Sequence, residues 1–348
     1  MLTHLHFQHL RNHTQFSYEI PEKGLLIVGK NGSGKTSILE ALFLLSVTKS
    51  FRSTNILPTI QEGEEWMEIG AQTERETLLY RWQGTPTRKT AFQRNGVLMG
   101  TAEILRKKNF LATLFSPDDL LLPFSAPALR RKYINRLLVP LFPEHLALLH
   151  RFEKVLASRN ALLKRISEGR ASAEELEFYD EEFAKYSEEI TEKRKSFFES
   201  ISFSLGKNYA TISGKKDDFQ ITFQPSSTEN TLKKLQERQG KDIFRGTTGI
   251  GAHGDDFSFL LRNTPLSETG SRGEVRSAIL SLKMAEAEYA EKVRGSRPIL
   301  LLDDVFSELD EDRRMHLFSF IEQQQTIITA TDIPQKGGKD VDFPLLKL

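Results

Sequence analysis

Cysteine is absent from all 348 residues, which excludes disulfides, zinc–thiolate centres, iron–sulfur clusters and thiol catalysis. Long apolar runs are missing as well: no stretch approaches 18 consecutive apolar residues, so no membrane-spanning helix is expected. Residues 1–13 have neither the basic flank nor the apolar core of an export signal, and the expectation is a cytoplasmic protein. Net charge is nearly absent too, with 48 Lys and Arg facing 47 Asp and Glu, so the charge speaks only when mapped along the chain. Residues 101–170 hold 13 basic and 6 acidic side chains, a balance of +7; residues 171–200 hold 4 and 10, a balance of −6. That asymmetry predicts a middle region with one basic surface, or two helices whose charges pair with each other.

The remaining signals are those of an α/β protein. Leu2, Leu5 and Phe7, then Phe16, Tyr18 and Ile20, follow the spacing of half-buried strands, and Leu25–Val28 is a short, wholly apolar strand. A helix is predicted over Ser37–Leu45, with strands over Trp66–Ala71 and Thr77–Trp82. His145–Ile166 carries Leu148, Phe152, Val155 and Leu162 at helical spacing with Gly169 as its stop, and Ala173–Phe198 continues helical. Between Lys207 and Arg245 the chain is polar, with Ser-, Thr- and Asn-rich turns at 225–231. A helix over Ser277–Val293, a strand over Ile299–Leu302, a helix over Glu311–Gln324 and a strand over Thr326–Thr329 then return to α/β. Wholly apolar strands need cover on both faces, as a parallel sheet provides. The expected architecture is a head built from both chain ends, residues 1–125 and 246–348, with an inserted, mainly helical lobe at 126–245.

Gly29, Lys30, Asn31, Gly32, Ser33, Gly34, Lys35 and Thr36 spell a complete G-x-x-x-x-G-K-T phosphate loop, between a predicted strand and a helix entered at Ser37. The glycines let backbone N–H groups close on an anion, and the helix start adds partial positive charge. Lys35 can neutralise β- and γ-phosphates, and the Thr36 hydroxyl can ligate Mg²⁺. Ile299–Leu302 runs into Asp303 and Asp304, adjacent acids whose repulsion a cation would relieve. Asp303 would then hold the metal through its water shell and Asp304 orient or deprotonate a water in line with the γ-phosphorus. Ser271, Gly273 and Glu274, just before the helix over 277–293, offer a second phosphate-binding turn or an ordinary helix cap. Because the chain's own nucleotide already has a cradle, that turn suggests a nucleotide held by a second copy.

Together these residues resemble the ABC-type ATPase heads of the SMC/Rad50 group and, more narrowly, the RecF family. The resemblance runs nearly end to end. It includes Leu10-Arg11-Asn12, Leu39-Glu40-Ala41 after the phosphate loop, Lys49–Arg52, Phe115–Leu120, Arg130-Arg131-Lys132, Arg159–Leu163, Gly251–Asp256, Ser271–Glu274, Leu301–Asp310 and Thr329–Asp332. It implies an ABC-type P-loop ATPase head in which Arg11 and Asn12 lie near ATP and Ser271–Glu274 is a signature motif touching the opposing subunit's ATP. Ser307–Asp310 would be a loop at that interface, and Thr331 and Asp332 stand where many relatives place a switch histidine. The implied activity is slow, DNA-stimulated ATP hydrolysis with Mg²⁺ and an ATP-dependent homodimer. The implied partners are double-stranded and gapped DNA, RecR, RecO and indirectly RecA, in gap repair and the SOS response at the nucleoid.

Two departures stand out against the family pattern. Gly251-Ala252-His253-Gly254-Asp255-Asp256 replaces the usual Gly-Pro-His-Arg-Asp-Asp, and Asn135 stands where an Asp is typical. Within the basic stretch Arg106–Arg170, the first candidates for DNA phosphate contacts are Arg130, Arg131 and Lys132. Competing readings are a chromosome-maintenance or transport ATPase of the same superfamily and a nucleotide-gated scaffold without hydrolysis. The first lacks sustained heptads and any membrane-facing feature; intact Lys35, Asp303 and Asp304 oppose the second. His4, His6, His9 and His13 crowd the start of the chain and are expected to face solvent rather than metal. His253, beside Asp255 and Asp256, has the makings of an acid–base group, but its family position implies a structural or interface role.

Overall fold

The computed structural model describes residues 1–53, 55–107, 110–227, 229–337 and 339–348; Lys108 of the basic stretch and Thr228 of the polar turns lie outside the described residues. The chain divides into two units. One comprises Met1–Leu121, Ser204–Asp217 and Gly270–Leu348, the other Leu122–Phe203 and Asp218–Thr269.

The first unit opens with an antiparallel pair, β1 (Leu2–Leu10) and β2 (His13–Glu19), in which Phe7 lies opposite Phe16 with rings stacked at 4.8 Å. A register shift between Leu2 and His4 and a left-handed backbone at His9 bend the simple alternation, so that Leu2, Leu5, Phe7 and Leu10 all point inward. β3 (Gly24–Val28) leads through the phosphate loop into α1 (Lys35–Val47), which is buried at every position except Thr36. A mostly apolar helix buried on every face belongs inside a core, and α1, which also buries Lys35, Ser37, Glu40 and Ser46, packs among β1, β4 (Trp66–Thr73) and β5 (Thr77–Gln83). β6 (Lys89–Arg94) and β7 (Val97–Met99) extend the antiparallel sheet to the order β2-β1-β4-β5-β6-β7. Val97 and Leu98 on that last strand are 59% and 66% exposed. α2 (Thr101–Lys107) and β8 (Ala112–Phe115) follow.

The second unit is mainly helical: α3 (Pro127–Leu141), α4 (Glu144–Ser167), α5 (Leu176–Ser213), β9 (Phe219–Gln224), α6 (Thr231–Arg245), β10 (Asp256–Leu261), β11 (Thr264–Pro265) and α7 (Leu266–Thr269). α5 outruns the predicted helix by fifteen residues, and its part from Ser204 onward groups with the first unit. Residues 246–269, assigned from sequence to the head, group with the second unit because β10 pairs along β9, Phe257 opposite Phe223. Phe152, Phe183, Leu148 and Leu235 form its apolar centre. Beside them Arg159 is fully buried, its Nε donating to Asp180 at 2.6 Å and its Nη1 to Asp242 at 3.1 Å and Thr248 Oγ1 at 2.8 Å. Arg194 is nearly as buried, donating to Asp255 at 2.8 Å, to the Ala252 carbonyl at 2.6 Å and to Asn135 Oδ1 at 3.1 Å. The charge asymmetry of the sequence is thus partly discharged internally, since Arg159 of the basic stretch pairs with Asp180 of the acidic one.

The chain then returns to the first unit with α8 (Arg272–Arg294), β12 (Ile299–Asp303), α9 (Glu311–Ile321), β13 (Thr326–Ala330), the small pair β14 (Gln335–Lys336) and β15 (Lys339–Asp340), and β16 (Leu345–Lys347). These complete a parallel sheet in the order β16-β3-β13-β12-β8. Strands from both chain ends therefore share one sheet, as the apolar runs Leu25–Val28 and Ile299–Leu302 required. Among the described residues no helix is long and apolar enough to cross a membrane.

One buried base makes the second unit acid-sensitive. His145 on α4 is fully buried, and neither ring nitrogen has a hydrogen-bond partner among the described residues. Burial first, then the cations Arg194 and Lys193, push its imidazole down from 6.5 to about 3. Between those values the unfolded chain takes up a proton that the folded chain refuses. Stability should therefore be unaffected above pH 6.5 and fall as pH drops below it, by up to about 1.4 kcal/mol per pH unit. Urea unfolding at pH 7.5, 6 and 5 should show this loss, and His145→Leu should reduce it, leaving the smaller share due to His253; equal slopes for both proteins would refute the assignment.

Candidate functional site

The phosphate loop is closed on itself by its own lysine. Lys35 is buried and donates from Nζ to the carbonyls of Gly29 at 2.5 Å and Lys30 at 3.0 Å, lying across the loop mouth. Gly34 sits at φ +99°, where a Cβ would come within 2.1 Å of His13 Nε2 and 2.9 Å of Asn12 Oδ1. The β1–β2 turn therefore rests directly on the loop. Asn12 Nδ2 donates to the Gly32 carbonyl at 3.2 Å, and His13 Nε2 meets the Gly34 carbonyl at 3.1 Å. Ser33 Oγ is buried and has no hydrogen-bond partner among the described residues.

Strand pairing carries the acids to the same place. The Thr36 hydroxyl donates to Asp303 Oδ1 at 2.9 Å across 267 residues of sequence. Thr329 Oγ1 on β13 donates to the same oxygen, also at 2.9 Å. The next residue, Asp304, adopts φ +52°, and its backbone N–H donates to Thr329 Oγ1 at 3.0 Å. Burial pushes the Asp304 carboxyl up, Lys35 opposes that, and the neighbouring charge of Asp303 adds to it. A cavity of about 650 Å³ opens here, lined by Arg11, Asn12, Asn31, Gly32, Gly34–Ser37, Arg52, Pro58, Ile60, Gln61, Glu62, Asp303 and Asp304. Its size suits a small-molecule ligand, and its mostly polar and charged lining suits a highly charged one.

The remaining expected residues lie elsewhere. Ser271 caps α8: its hydroxyl accepts from the Glu274 N–H at 3.3 Å while Glu274 Oε2 accepts from the Ser271 N–H at 2.9 Å. Gly273 faces Arg313, and the Ser271–Glu274 turn does not line the cavity. Ser307 donates to the Asp304 carbonyl at 2.7 Å, Glu308 pairs with Arg276 at 2.5 Å, and Asp310 caps α9. Thr331 and Asp332 are exposed.

Two of the three cations first named for DNA are engaged inside the second unit. Arg130 grips Asp256 with two bonds of 2.7 Å and also donates to the Ser125 carbonyl. Arg131 donates to the Asp255 carbonyl at 2.9 Å, whereas Lys132 is exposed. Asp255 itself is buried and accepts from Thr191, Arg194 and Ser226, so it forms no acid–base pair with His253. His253 instead meets the Thr248 carbonyl at 3.0 Å, and burial lowers its pKa.

The N-terminal histidines are half-buried rather than solvent-facing, because the antiparallel sheet packs their rings against Gly70, Trp66 and the phosphate loop. His9 also has a carboxylate close by, Glu64 at 3.6 Å, that the sequence did not reveal. Among the described residues no group of three or more His, Asp or Glu could hold a metal ion. Sequence reasoning missed Arg52, Gln61 and Glu62 as cavity residues, and the part of Glu40, whose buried carboxylate takes a two-pronged bond from Arg11.

A phosphate loop between a parallel strand and a buried helix, faced by an acid pair from a strand that shares its sheet, defines a P-loop ATPase head. A family model described as an AAA ATPase domain matches residues 1–248. The chain is 34% identical to the DNA replication and repair protein RecF of Heliobacterium modesticaldum, over 95% of this chain and 93% of that one. It is 31% identical to RecF of Ruminiclostridium cellulolyticum, over 97% and 94%. The solved structure of RecF-ATPrS, the recombination mediator protein of the RecFOR pathway, superposes with a TM-score of 0.88 at 28% identity, covering 100% of this chain and 96% of that one. The Smc head from Pyrococcus furiosus matches at 0.53 and 16% identity, over 95% of this chain and 89% of that one, a likeness of fold alone. The chain belongs to the RecF family of DNA replication and repair proteins.

The loop geometry sets a direct test. Gly34→Ala must place a Cβ where φ is +99° and push His13 aside. A stability loss of about 1–3 kcal/mol is expected from the left-handed backbone and the displaced ring. Thermal melting would read it, and an unchanged midpoint would contradict the placement of the β1–β2 turn on the loop.

Proposed function

We propose that this protein is a slow, DNA-stimulated ATPase of gap repair, in which ATP bound at Gly29–Thr36 joins two copies of the chain on DNA. The bond between Thr36 Oγ1 and Asp303 Oδ1 carries this reading, because it sets a metal-ligating hydroxyl against an acid at the mouth of a phosphate loop. The two oxygens are hydrogen-bonded at 2.9 Å, and with ATP bound Thr36 would ligate Mg²⁺ while Asp303 would hold it through its water shell. Mg²⁺ held by Thr36 and Asp303 would neutralise charge developing on the β- and γ-phosphates. Lys35 would exchange its loop carbonyls for phosphate oxygens, with the loop amides and Ser33 Oγ supporting them. Asp304, raised by burial but held beside Lys35, orients the attacking water.

The relatives' names supply the biological setting: DNA replication and repair, and the RecFOR pathway. We place this chain there, on double-stranded or gapped DNA in the cytoplasm, with RecR and RecO as partners that direct RecA. On the second unit Lys132, with Arg151, Lys154, Lys164 and Arg165 on the exposed side of α4, is the better candidate for phosphate contacts. DNA binding measured with ADP, ATP and a non-hydrolysable analogue, with oligomeric state followed in the same samples, tests the whole reading.

Two substitutions separate binding from turnover. Lys35→Ala should weaken ATP binding by at least about tenfold through loss of the main phosphate counter-charge, whereas Asp304→Asn should keep binding and slow phosphate release by about a hundredfold. If Lys35→Ala bound ATP as tightly as the parent, this placement of the site would be wrong.

The signature turn supplies a further check. Ser271 is exposed and spends its hydroxyl on a local cap, so Ser271→Arg should leave ATP binding by the single chain intact. It should abolish ATP-induced dimerisation and depress turnover. Sedimentation velocity at several concentrations with ATP and ADP would decide; a protein that stays monomeric yet hydrolyses ATP at a concentration-independent specific rate would sink the two-copy site.

A further inference from the structure

Glu40 is the one carboxylate of α1, and it is fully buried one turn beyond Thr36. Its oxygens accept from Arg11 Nε at 2.8 Å and Arg11 Nη2 at 2.7 Å, while Ser50 Oγ donates to Oε1 and Arg52 Nη1 stands 3.9 Å from Oε2. The rest of Arg11 faces the other way. Its Nη1 donates to the Pro58 carbonyl and its backbone N–H to the Thr59 carbonyl at 2.8 Å. Next to it Leu10 bridges Ile60, and the Gln61 N–H reaches the His9 carbonyl at 2.9 Å. The segment from Pro58 to Gln61 is therefore hung from the end of β1, and the Arg11 guanidinium ties it to the carboxylate of Glu40.

Pro58 and Ile60 are the apolar side chains among the cavity lining; the loop side offers N–H groups, Lys35, Thr36 and the acids. Phosphates seek the second kind of wall, and a base and ribose seek the first. We infer that Glu40 is a positioning residue for the nucleoside half of the site, fixing the Arg11 fork and, through it, the Pro58–Gln61 shelf. Arg11 is then a strut whose charge Glu40 already balances, rather than a phosphate counter-ion. This rests on the reading of the cavity as an ATP site and adds to it a division of labour: α1 carries phosphate chemistry at Lys35 and Thr36 and nucleoside placement at Glu40.

The test compares dissociation constants for ATP and for inorganic tripolyphosphate, which has phosphates but no nucleoside, alongside thermal melts. Glu40→Ala should weaken ATP by about tenfold or more while changing tripolyphosphate by less than about twofold. Glu40→Gln, which keeps one acceptor oxygen, should fall between. Arg11→Lys keeps the charge and loses the fork, so it should reproduce the ATP-selective loss even if Glu40→Ala proves too unstable to assay. Equal weakening of both ligands, or unchanged ATP affinity in Glu40→Ala and Arg11→Lys, would overturn the inference. A parent protein that bound neither ligand would instead overturn the ATP reading beneath it.

Discussion

β13 lies between β3 and β12, pairing Thr326–Ala330 with Gly24–Val28 on one side and Thr326–Thr329 with Leu300–Asp303 on the other. Parallel pairing makes all three strands end on the same side of the sheet, where the turns after β3 and β12 emerge on either side of β13. Thr329 does more than fill the middle of the sheet. Its hydroxyl donates to Asp303 and accepts from the Asp304 backbone, so the central strand aims both acids. A slip of two residues in this register would move Asp303 roughly 6.6 Å along the sheet, beyond reach of Thr36. The chemistry of the first unit depends on that register before it depends on any catalytic side chain.

What could be read from sequence was what local chemistry writes locally. The phosphate loop, its flanking strand and helix, and the acids closing an apolar run each occupy one short window, and the structure places them together. α6 escaped notice because its buried face includes Thr231 and Asp242, so its apolar stripe is interrupted by polar side chains whose partners lie on other elements. β8 has four residues and gains its identity only from β12 beside it. Glu40 gave no sign of burial, since a lone glutamate between Leu39 and Ala41 looks like any helix position until Arg11 is seen against it. Arg130 is a similar case: an arginine in a basic run reads as a surface charge, and only the fold reveals its pairing with Asp256.

Buried charge in the second unit is best answered around Arg194 and Asp255, each of which has several partners. Arg194 illustrates how the two departures from the family pattern fit. It already has Asp255 as its counter-ion, so Asn135 can accept from its other donors without adding a second negative charge. At Gly254 a Cβ would stand 2.7 Å from Ser226 Oγ, and the Ser226 backbone N–H holds the other oxygen of Asp255. The short residue at 254 and the serine at 226 are thus a matched set around one carboxylate. Arginine at 254 would require Ser226 to move and would disturb the acid on which Arg194 depends.

The antiparallel sheet of the first unit leaves an open edge at β7, where Val97 and Leu98 are largely exposed. An unpaired strand edge with apolar side chains is a template on which another chain can add a strand and begin to aggregate. β7 limits that hazard by brevity, since Val97–Met99 offers too few backbone groups to hold a foreign strand. Engineering that lengthens β7, or stiffens residues beyond it into extended structure, would remove this protection and trade solubility for sheet.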